Sequence, residues 1–424
     1  MGIDFTGRVA VITGAGNGLG AEYARTLARL GAAVVVNDIG SSLDGAPDGT
    51  RPADQVVEQI TAAGGRAIAN ADSVADPDGG RAIVEAAVKE FGRLDIVVNN
   101  AGNRRNSPID EVTPQDFEAI MAVHLKGALH VSQPAFAVMK EQGYGRLLFT
   151  SSAAGLFGNA GQASYAAAKA GVFGLAQALA IEGKPHEILA NVLLPMAGTP
   201  RATAGMTAQA NATAGIQPGS RPDNDTELVS ALVAYLVSQE CTLTHEVFAS
   251  AGGRYYSAFV GTTPGWRHAG DTVPTADEIG AHLEQIRSRS GYYVPDSLGA
   301  DIAVTMSAAL GATQPTRSPA EAARRYFDAV LRKDADALQA LFAEDAEFDV
   351  PGTTLTGNTA IAAFYRELFT TSSPEPSPGP LLVDGDRVAV QIALHNQGQD
   401  FRMADFFTVT SEGRIARMVA YQAT

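Results

Sequence analysis

The feature that most constrains this chain is an alternation. Between residues 8 and 260, short apolar runs rich in β-branched residues alternate with longer stretches rich in Ala, Glu and Leu. The runs are Val9–Thr13, Ala33–Asp38, Ala67–Asn70, Leu94–Asn99, Arg146–Ser151 and Leu189–Leu194. Their unbroken apolar character fits strands covered on both faces, and the stretches between them have helical length. Strand–helix alternation with right-handed crossovers predicts a doubly wound parallel α/β sheet of the Rossmann type.

The turn after the first run is rich in glycine: Thr13-Gly14-Ala15-Gly16-Asn17-Gly18-Leu19-Gly20. Placed between a strand and a helix, such glycines permit a tight turn, let backbone N–H groups approach a pyrophosphate and let the helix pack on the strand. The helix N-terminus adds partial positive charge. Gly14, Gly16, Asn17, Gly18, Leu19 and Gly20 are therefore candidate dinucleotide contacts. Asp38 ends the second run, 24 residues after Gly14. A carboxylate there accepts hydrogen bonds from ribose hydroxyls and repels a 2′-phosphate. Neither Asn17 nor Ile39 supplies a cation for that phosphate, so the expected cofactor is NAD rather than NADP.

Composition narrows the partners. With 31 basic and 46 acidic residues the formal charge is −15, which argues against nucleic acid or an anionic membrane as a major partner. The single cysteine, Cys241, cannot close an intramolecular disulfide, and seven scattered histidines suggest no metal site. No leader and no run of 18 apolar residues is visible, so the expected location is cytoplasmic. A length of 424 residues suggests two or three domains.

Tyr165 and Lys169 sit four apart in a helical pattern, on one face and a turn apart. A neighbouring ammonium favours the phenolate, so the expectation is a phenol drawn down toward working pH. Ser152 lies 13 residues upstream at a strand end, with Ser151 pointing the other way. Asn99-Asn100-Ala101-Gly102 follows the fourth run, at the sheet edge where ligands bind.

Taken together, T-G-x-x-x-G-x-G, N-N-A-G, Ser and Y-x-x-x-K, in that order, resemble the short-chain dehydrogenase/reductase family over about residues 5–260. The resemblance implies Tyr165 as general acid/base, Lys169 as the group that lowers its pKa and holds the nicotinamide ribose, and Ser152 as the residue that orients the substrate oxygen. It implies that Asn99 braces the sheet near the cofactor and that Asp72, with Ser73, approaches the adenine. Ala101, Gly102, Pro195 and Thr199 complete the implied cofactor contacts. The family's usual fourth catalytic position is Asn. Here it is His124, in His124-Leu-Lys-Gly127. Stretches 34–40, 123–127, 144–155 and 158–165 are similar to the dehydrogenase part of the multifunctional enzyme type 2 group. That group acts on 3-hydroxyacyl-CoA thioesters and 17β-hydroxysteroids. The implied activity is NAD-linked oxidation of a secondary alcohol on a bulky apolar substrate, with a terpenoid or other small alcohol as an alternative. The implied partners are that alcohol or ketone and further copies of the chain, as a dimer or tetramer.

Residues 196–226, rich in Ala, Gly, Thr and Pro, suggest a lid over the pocket. The first domain is expected over 1–300, with an irregular extension that includes one helix at Thr275–Arg289. A linker is expected over 301–318 and a second domain over 319–424. In the second domain Ala323, Tyr326, Phe327, Val330 and Leu331 share one helical face, and strands with Asp384-Gly385 and Glu412-Gly413 turns follow. Helices followed by an antiparallel sheet predict an α+β cone. This part resembles the nuclear-transport-factor-2-like superfamily, which includes SnoaL-like cyclases and ketosteroid isomerases. Asp405 alternates in phase with Phe401, Met403, Phe407 and Val409, so a raised pKa is expected. The resemblance pairs Tyr326 with Asp405 as an oxyanion hole, but the isomerase base falls at Val350, with Asp349 facing away. A binding or dimerisation role is the expectation for this domain; for the whole chain the alternatives are a bifunctional enzyme and a scaffold that keeps the nucleotide fold without turnover, against which the intact Tyr165, Lys169, Ser152 and glycine loop count strongly.

Overall fold

The computed structural model describes residues 2–40, 49–197, 225–268, 272–289, 292–309, 319–350, 352–379, 381–410 and 412–422. The chain divides into two compact units, residues 1–261 and 262–424.

The first unit is built on an eight-stranded sheet. The strands are β1 (Val9–Thr13), β2 (Ala33–Asn37), β3 (Arg66–Asn70), β4 (Ile96–Asn99), β5 (Gly145–Thr150), β6 (Ile188–Met196), β7 (Val247–Ala251) and β8 (Arg254–Ala258). They lie in the order β3-β2-β1-β4-β5-β6-β7-β8. All neighbours run parallel except the β7–β8 hairpin. Valine and isoleucine on β1 serve both faces. Ala10 and Ile12 join one buried cluster while Val9 and Val11 join the other, as the two-residue strand period requires. Helices α1 (Gly18–Arg29) and α2 (Pro52–Ala62) cover the first face. Helices α3 (Pro77–Phe91), α5 (Gly127–Gln142) and α7 (Ala163–Gly183) cover the second.

β1 pairs with β2 on one side and with β4 on the other, so the strand order reverses between β1 and β4. In open α/β sheets ligands bind in the crevice outside such a point, at the carboxyl ends of the strands. The glycine turn after β1 and Asn99–Gly102 at the end of β4 both lie there. β7 and β8 were not expected from the sequence, because VFASA and RYYSA lack an unbroken apolar run.

Two short helices, α4 (Pro114–Met121) and α6 (Ala153–Phe157), and helix α8 (Asp225–Leu236) complete this unit. A π-turn at Ala122–Lys126 joins α4 to α5. Of the expected lid, only 196–197 and 225–226 fall within the described residues, and Thr199 lies outside them.

In the second unit the extension folds as α9 (Ala276–Ala281) and α10 (Leu283–Arg287) rather than one helix. His282 interrupts them and stacks on Trp266 at 4.0 Å. Helix α11 (Leu298–Ala309) occupies the start of the stretch expected as linker. Helices α12 (Pro319–Leu331), α13 (Ala335–Leu341) and α14 (Asn358–Thr371) share a core with a seven-stranded sheet. Its strands are β9 (Phe342–Val350), β10 (Thr353–Thr356), β11 (Glu375–Pro378), β12 (Leu382–Asp384), β13 (Arg387–Asn396), β14 (Gln399–Val409) and β15 (Ile415–Gln422). Only β9 and β15 pair in parallel. The α12 stripe is as expected through Val330, but Leu331 faces solvent at the end of the helix.

Candidate active site

The glycine turn is closed from β4. The Asn100 amide donates to the Thr13 carbonyl (2.9 Å) and the Gly14 carbonyl (3.1 Å). Thr13 Oγ1 accepts from the Asn100 and Ala101 N–H groups at 3.0 and 3.1 Å. The fit leaves no room for side chains: a Cβ on Gly20 would lie 2.3 Å from the Gly14 carbonyl oxygen. Gly14 and Gly18 have φ of +61° and +56°, which favours glycine. Asn17 caps α1 without a side-chain bond, leaving its first N–H groups directed at the crevice. Leu19 packs inward against the core.

Asp38 stands just past β2. Its carboxylate accepts from the Gly16 N–H (3.0 Å) and the Gly40 N–H (2.9 Å), so it is fixed beside the turn. A cavity of about 40 Å³ opens here, lined by Gly14, Asn37, Asp38, Ile39, Ser73, Val74, Ala101, Gly102, Asn103 and Val123. Asp72 is not among them. Its side chain accepts from the Asn70 amide (2.7 Å) and its carbonyl from Asn37 (2.9 Å), so it shapes the turn while Ser73 and Val74 form the wall. A glycine turn at a helix N-terminus, a fixed carboxylate and an apolar slot suit a dinucleotide. Pro195 lies near the end of β6, paired with Ser250.

Ser152, Tyr165 and Lys169 come together at the end of β5. Ser152 caps α6, accepting from the Ala154 N–H, and its hydroxyl lies close enough to the Tyr165 phenol to favour the phenolate. Ser151 points the other way, donating to the Lys169 carbonyl at 2.8 Å. Lys169 is buried, donates to the Thr150 carbonyl at 2.6 Å and lies 5.7 Å from the centre of the Tyr165 ring. Asn99 is bonded to Ser132 on α5 at 2.9 Å, which ties strand to helix.

The electrostatics differ from the expectation. Burial raises the Tyr165 phenol above its ordinary 10.0, opposed by the Ser152 hydroxyl and the Arg104 guanidinium. Lys169 is itself so desolvated that its ammonium falls to about 7. A spacing of four sets direction along the helix but carries no information on depth, and depth decides here.

His124 lies in the π-turn, with its ring edge-on to Tyr165 at 5.3 Å between centroids. Its Nε2 meets the Asn103 backbone, 3.2 Å from N and 2.9 Å from O. Sequence reasoning missed Asn103, Asn37 and Thr150 as wall residues, and Arg104 as a charge acting on Tyr165. Asn37 adjoins Asp38 and Thr150 adjoins the serines, but neither carries a motif of its own.

In the second unit the buried group comprises Tyr326, Tyr365 and Asp405. The two phenols hydrogen-bond one another, and Asp405 Oδ1 has no partner among the described residues. Burial raises the Tyr326 phenol, and Tyr365 and Asp405 push it further. Asp405 rises to about 7 through burial, as alternation along β14 led one to expect. Tyr365 was not anticipated, because α14 offered only one more aromatic on an apolar stripe. Asp349 lies on the other side of β9, where it binds Arg417 (2.8 Å) and Thr354 (2.6 Å).

The profile of the family described as short chain dehydrogenase matches residues 8–211, and that of the SnoaL-like domain matches 323–418. A short-chain type dehydrogenase/reductase of Mycobacterium tuberculosis is 41% identical over 285 residues, covering 67% of this chain and 95% of that protein. The peroxisomal multifunctional enzyme type 2 of Drosophila melanogaster is 44% identical over 250 residues, covering 59% of this chain and 40% of that enzyme. A solved 7α-hydroxysteroid dehydrogenase, complexed with NADH and 7-oxo glycochenodeoxycholic acid, is 28% identical. It covers 59% of this chain and 95% of its own, at a TM-score of 0.53.

Two outcomes are expected. A Cβ on Gly102 would lie 2.6 Å from His124 Cε1. Gly102→Ala should therefore lower stability by about 1–3 kcal/mol, and adding the shorter His124→Asn should recover most of it. Thermal melts of the two single variants and the double variant check this; simple additivity would refute the contact. For Asp405, an acid whose folded pKa is raised contributes stability that is full below the unfolded value and is lost as pH rises through about 7. The melting temperature should thus fall between about pH 5 and about pH 8, and fall less in Asp405→Asn.

Proposed function

The chain belongs to the short-chain dehydrogenase/reductase family, followed by a SnoaL-like domain, and is an oxidoreductase acting on CH–OH groups; from that premise we propose that it interconverts a secondary alcohol and a ketone on a bulky apolar substrate, with NAD as cofactor. A 3-hydroxyacyl-CoA or a hydroxysteroid fits best. The observation that carries the reading is the gathering of Ser152, Tyr165 and the buried Lys169 at the end of β5, with Lys169 Nζ 5.7 Å from the centre of the Tyr165 ring. The bile acid in the solved 7α-hydroxysteroid dehydrogenase supports the substrate class. The exposed apolar side chains of Phe157 and Met196, near Ser152 and at the end of β6, suit such a substrate.

Each residue has a physical task. Ser152 Oγ and the Tyr165 hydroxyl converge, so both can hydrogen-bond one substrate oxygen. The Tyr165 oxygen takes the alcohol proton in oxidation and returns it in reduction. Lys169 stabilises the phenolate and reaches toward the ribose. The nicotinamide, when bound, supplies the hydride acceptor. Asp38, held by two backbone N–H groups, favours a free ribose 2′-hydroxyl over a phosphate. Because burial raises the phenol, oxidation should become faster as pH rises. We take the protein to act in the cytoplasm as a homo-oligomer, dimer or tetramer, with exposed Phe117 on α4 and Leu129 on α5 available to a second copy.

Screening NAD reduction over steroid alcohols, 3-hydroxyacyl-CoAs and terpenoid alcohols tests the reading. Tyr165→Phe should lower kcat by about 10²–10⁴ and leave NADH binding unchanged. Retention of a tenth of the rate would overturn the assignment, and equal kcat/KM for NADP would overturn that of Asp38.

A second reading, a bifunctional enzyme with isomerase or cyclase activity, is favoured by the buried Tyr326, Tyr365 and Asp405 group. It requires the full chain to conjugate a β,γ-unsaturated ketone, seen as enone absorbance, and Tyr326→Phe to abolish that conversion. No conversion by the unaltered protein ends it.

A further inference from the structure

The loop after β4, residues 103–108, has no regular structure, yet it is held at three points. Asn103 is buried. Its backbone N and O lie 3.2 and 2.9 Å from His124 Nε2, and its amide donates to the Ala119 carbonyl on α4 at 3.0 Å. Arg105 donates to Asp116, also on α4, at 2.6 Å. Ser107 reaches the turn that leads into α7: its carbonyl oxygen would be 4.0 Å from a Cβ on Gly161. Arg104 stands between the first two anchors and is half-buried. Its neighbour Asn103 touches His124, and the His124 ring lies edge-on to Tyr165 at 5.3 Å. One step of chain therefore separates Arg104 from the contact that flanks the phenol, within the reach of an arginine side chain.

His124 holds this loop in either neutral tautomer. With the proton on its buried Nδ1, Nε2 accepts from the Asn103 N–H; with the proton on Nε2, it donates to the Asn103 carbonyl. The position that the resemblance gives to asparagine serves here as a clasp on the backbone that carries Arg104.

We propose that Arg104 is a positioning residue for the reaction, a second cation fixed by its loop that supports the deprotonated form of Tyr165 together with Lys169. This rests on the reading of Tyr165 as the acid/base. The charged and titratable groups that face the phenol are Lys169 on its own helix, His124 on the π-turn and Arg104 on the loop, while Arg105 is matched by Asp116. The two cations differ in their pH range. Burial lowers the Lys169 ammonium to about 7, so it loses charge within the working range. A guanidinium keeps its charge throughout. Arg104 opposes the burial that raises the phenol. Without it the phenolate is harder to form, and oxidation needs a higher pH to reach the same rate.

The test is the pH profile of kcat/KM for oxidation by the full chain. Arg104→Gln should move the acid limb up by about one pH unit, a loss of about tenfold on the limb and little on the plateau. Arg104→Lys, which keeps a cation, should return most of the shift. Asp116→Asn removes the Arg105 anchor and keeps the Arg104 charge, so it should leave the limb in place. An Arg104→Gln limb that does not move, or one that moves as far in Asp116→Asn, overturns the proposal; the second result marks a role in loop shape alone. In full-length protein labelled with ¹³C at tyrosine Cζ, with the Tyr165 signal assigned through Tyr165→Phe, the Tyr165 titration should move up in Arg104→Gln as well. If the unaltered protein oxidises no alcohol, the Tyr165 reading fails, and this titration still decides the role of Arg104: an unmoved midpoint overturns it.

Discussion

The arrangement at the end of β5 depends on one buried ammonium. Lys169 sits in the interior against the carbonyl of Thr150, and its own carbonyl takes the Ser151 hydroxyl. These two bonds run in opposite senses between α7 and the strand end, so they fix the helix in both translation and rotation. Gly155 lets α6 approach the same place: a Cβ there would lie 2.8 Å from the Lys169 carbonyl carbon. With α6 and α7 clamped this way, the Ser152 cap and the Tyr165 ring are brought together. Burying a charge is costly unless dipoles replace its water. Here one backbone carbonyl, that of Thr150, stands in for that water, and burial lowers the ammonium to about 7.

The dinucleotide crevice is organised by a different force. Its groups are backbone amides and carbonyls, matched by Asn100, Thr13 and Asp38. Almost every side chain there spends its hydrogen bonds on the main chain, which leaves the turn rigid and the helix N-terminus open. Asp38 shows the economy of this design. The two N–H groups that hold its carboxylate also keep it at the edge of the cavity, where a ribose would meet it.

The sheet was legible in the sequence wherever strands are buried on both faces, since such strands must be continuous runs of Val, Ile, Leu and Ala. The edge hairpin β7–β8 escaped for the same reason, being half exposed and mixed in composition. The Ser152, Tyr165 and Lys169 grouping was legible because helix and strand periods set direction. Depth was not, and so the balance between Tyr165 and Lys169 came out with burial dominant. Thr150, Asn37 and Tyr365 were invisible because each acts through neighbours distant in sequence: Lys169, Asn70 with Asp72, and Tyr326 respectively. Asp405 was legible, because strand alternation alone places a carboxyl group on an apolar face.

The SnoaL-like domain sets acids against bases. Two phenols pressed upward by burial are hydrogen-bond donors across the working pH range, and the Asp405 carboxyl joins them below about pH 7. Donors of this kind suit a carbonyl oxygen. Moving a proton between carbons needs a base as well, and Asp349, the nearest carboxylate in sequence to the position where one is expected, is drawn to the outer side of β9 by Arg417 and Thr354. The Thr354 hydrogen bond and the Arg417 ion pair hold the Asp349 carboxyl below its ordinary range, which makes it a poor base where it stands. The buried group of this domain therefore supplies hydrogen-bond donors, while the carboxylate beside the expected base position is held on the opposite side of its strand.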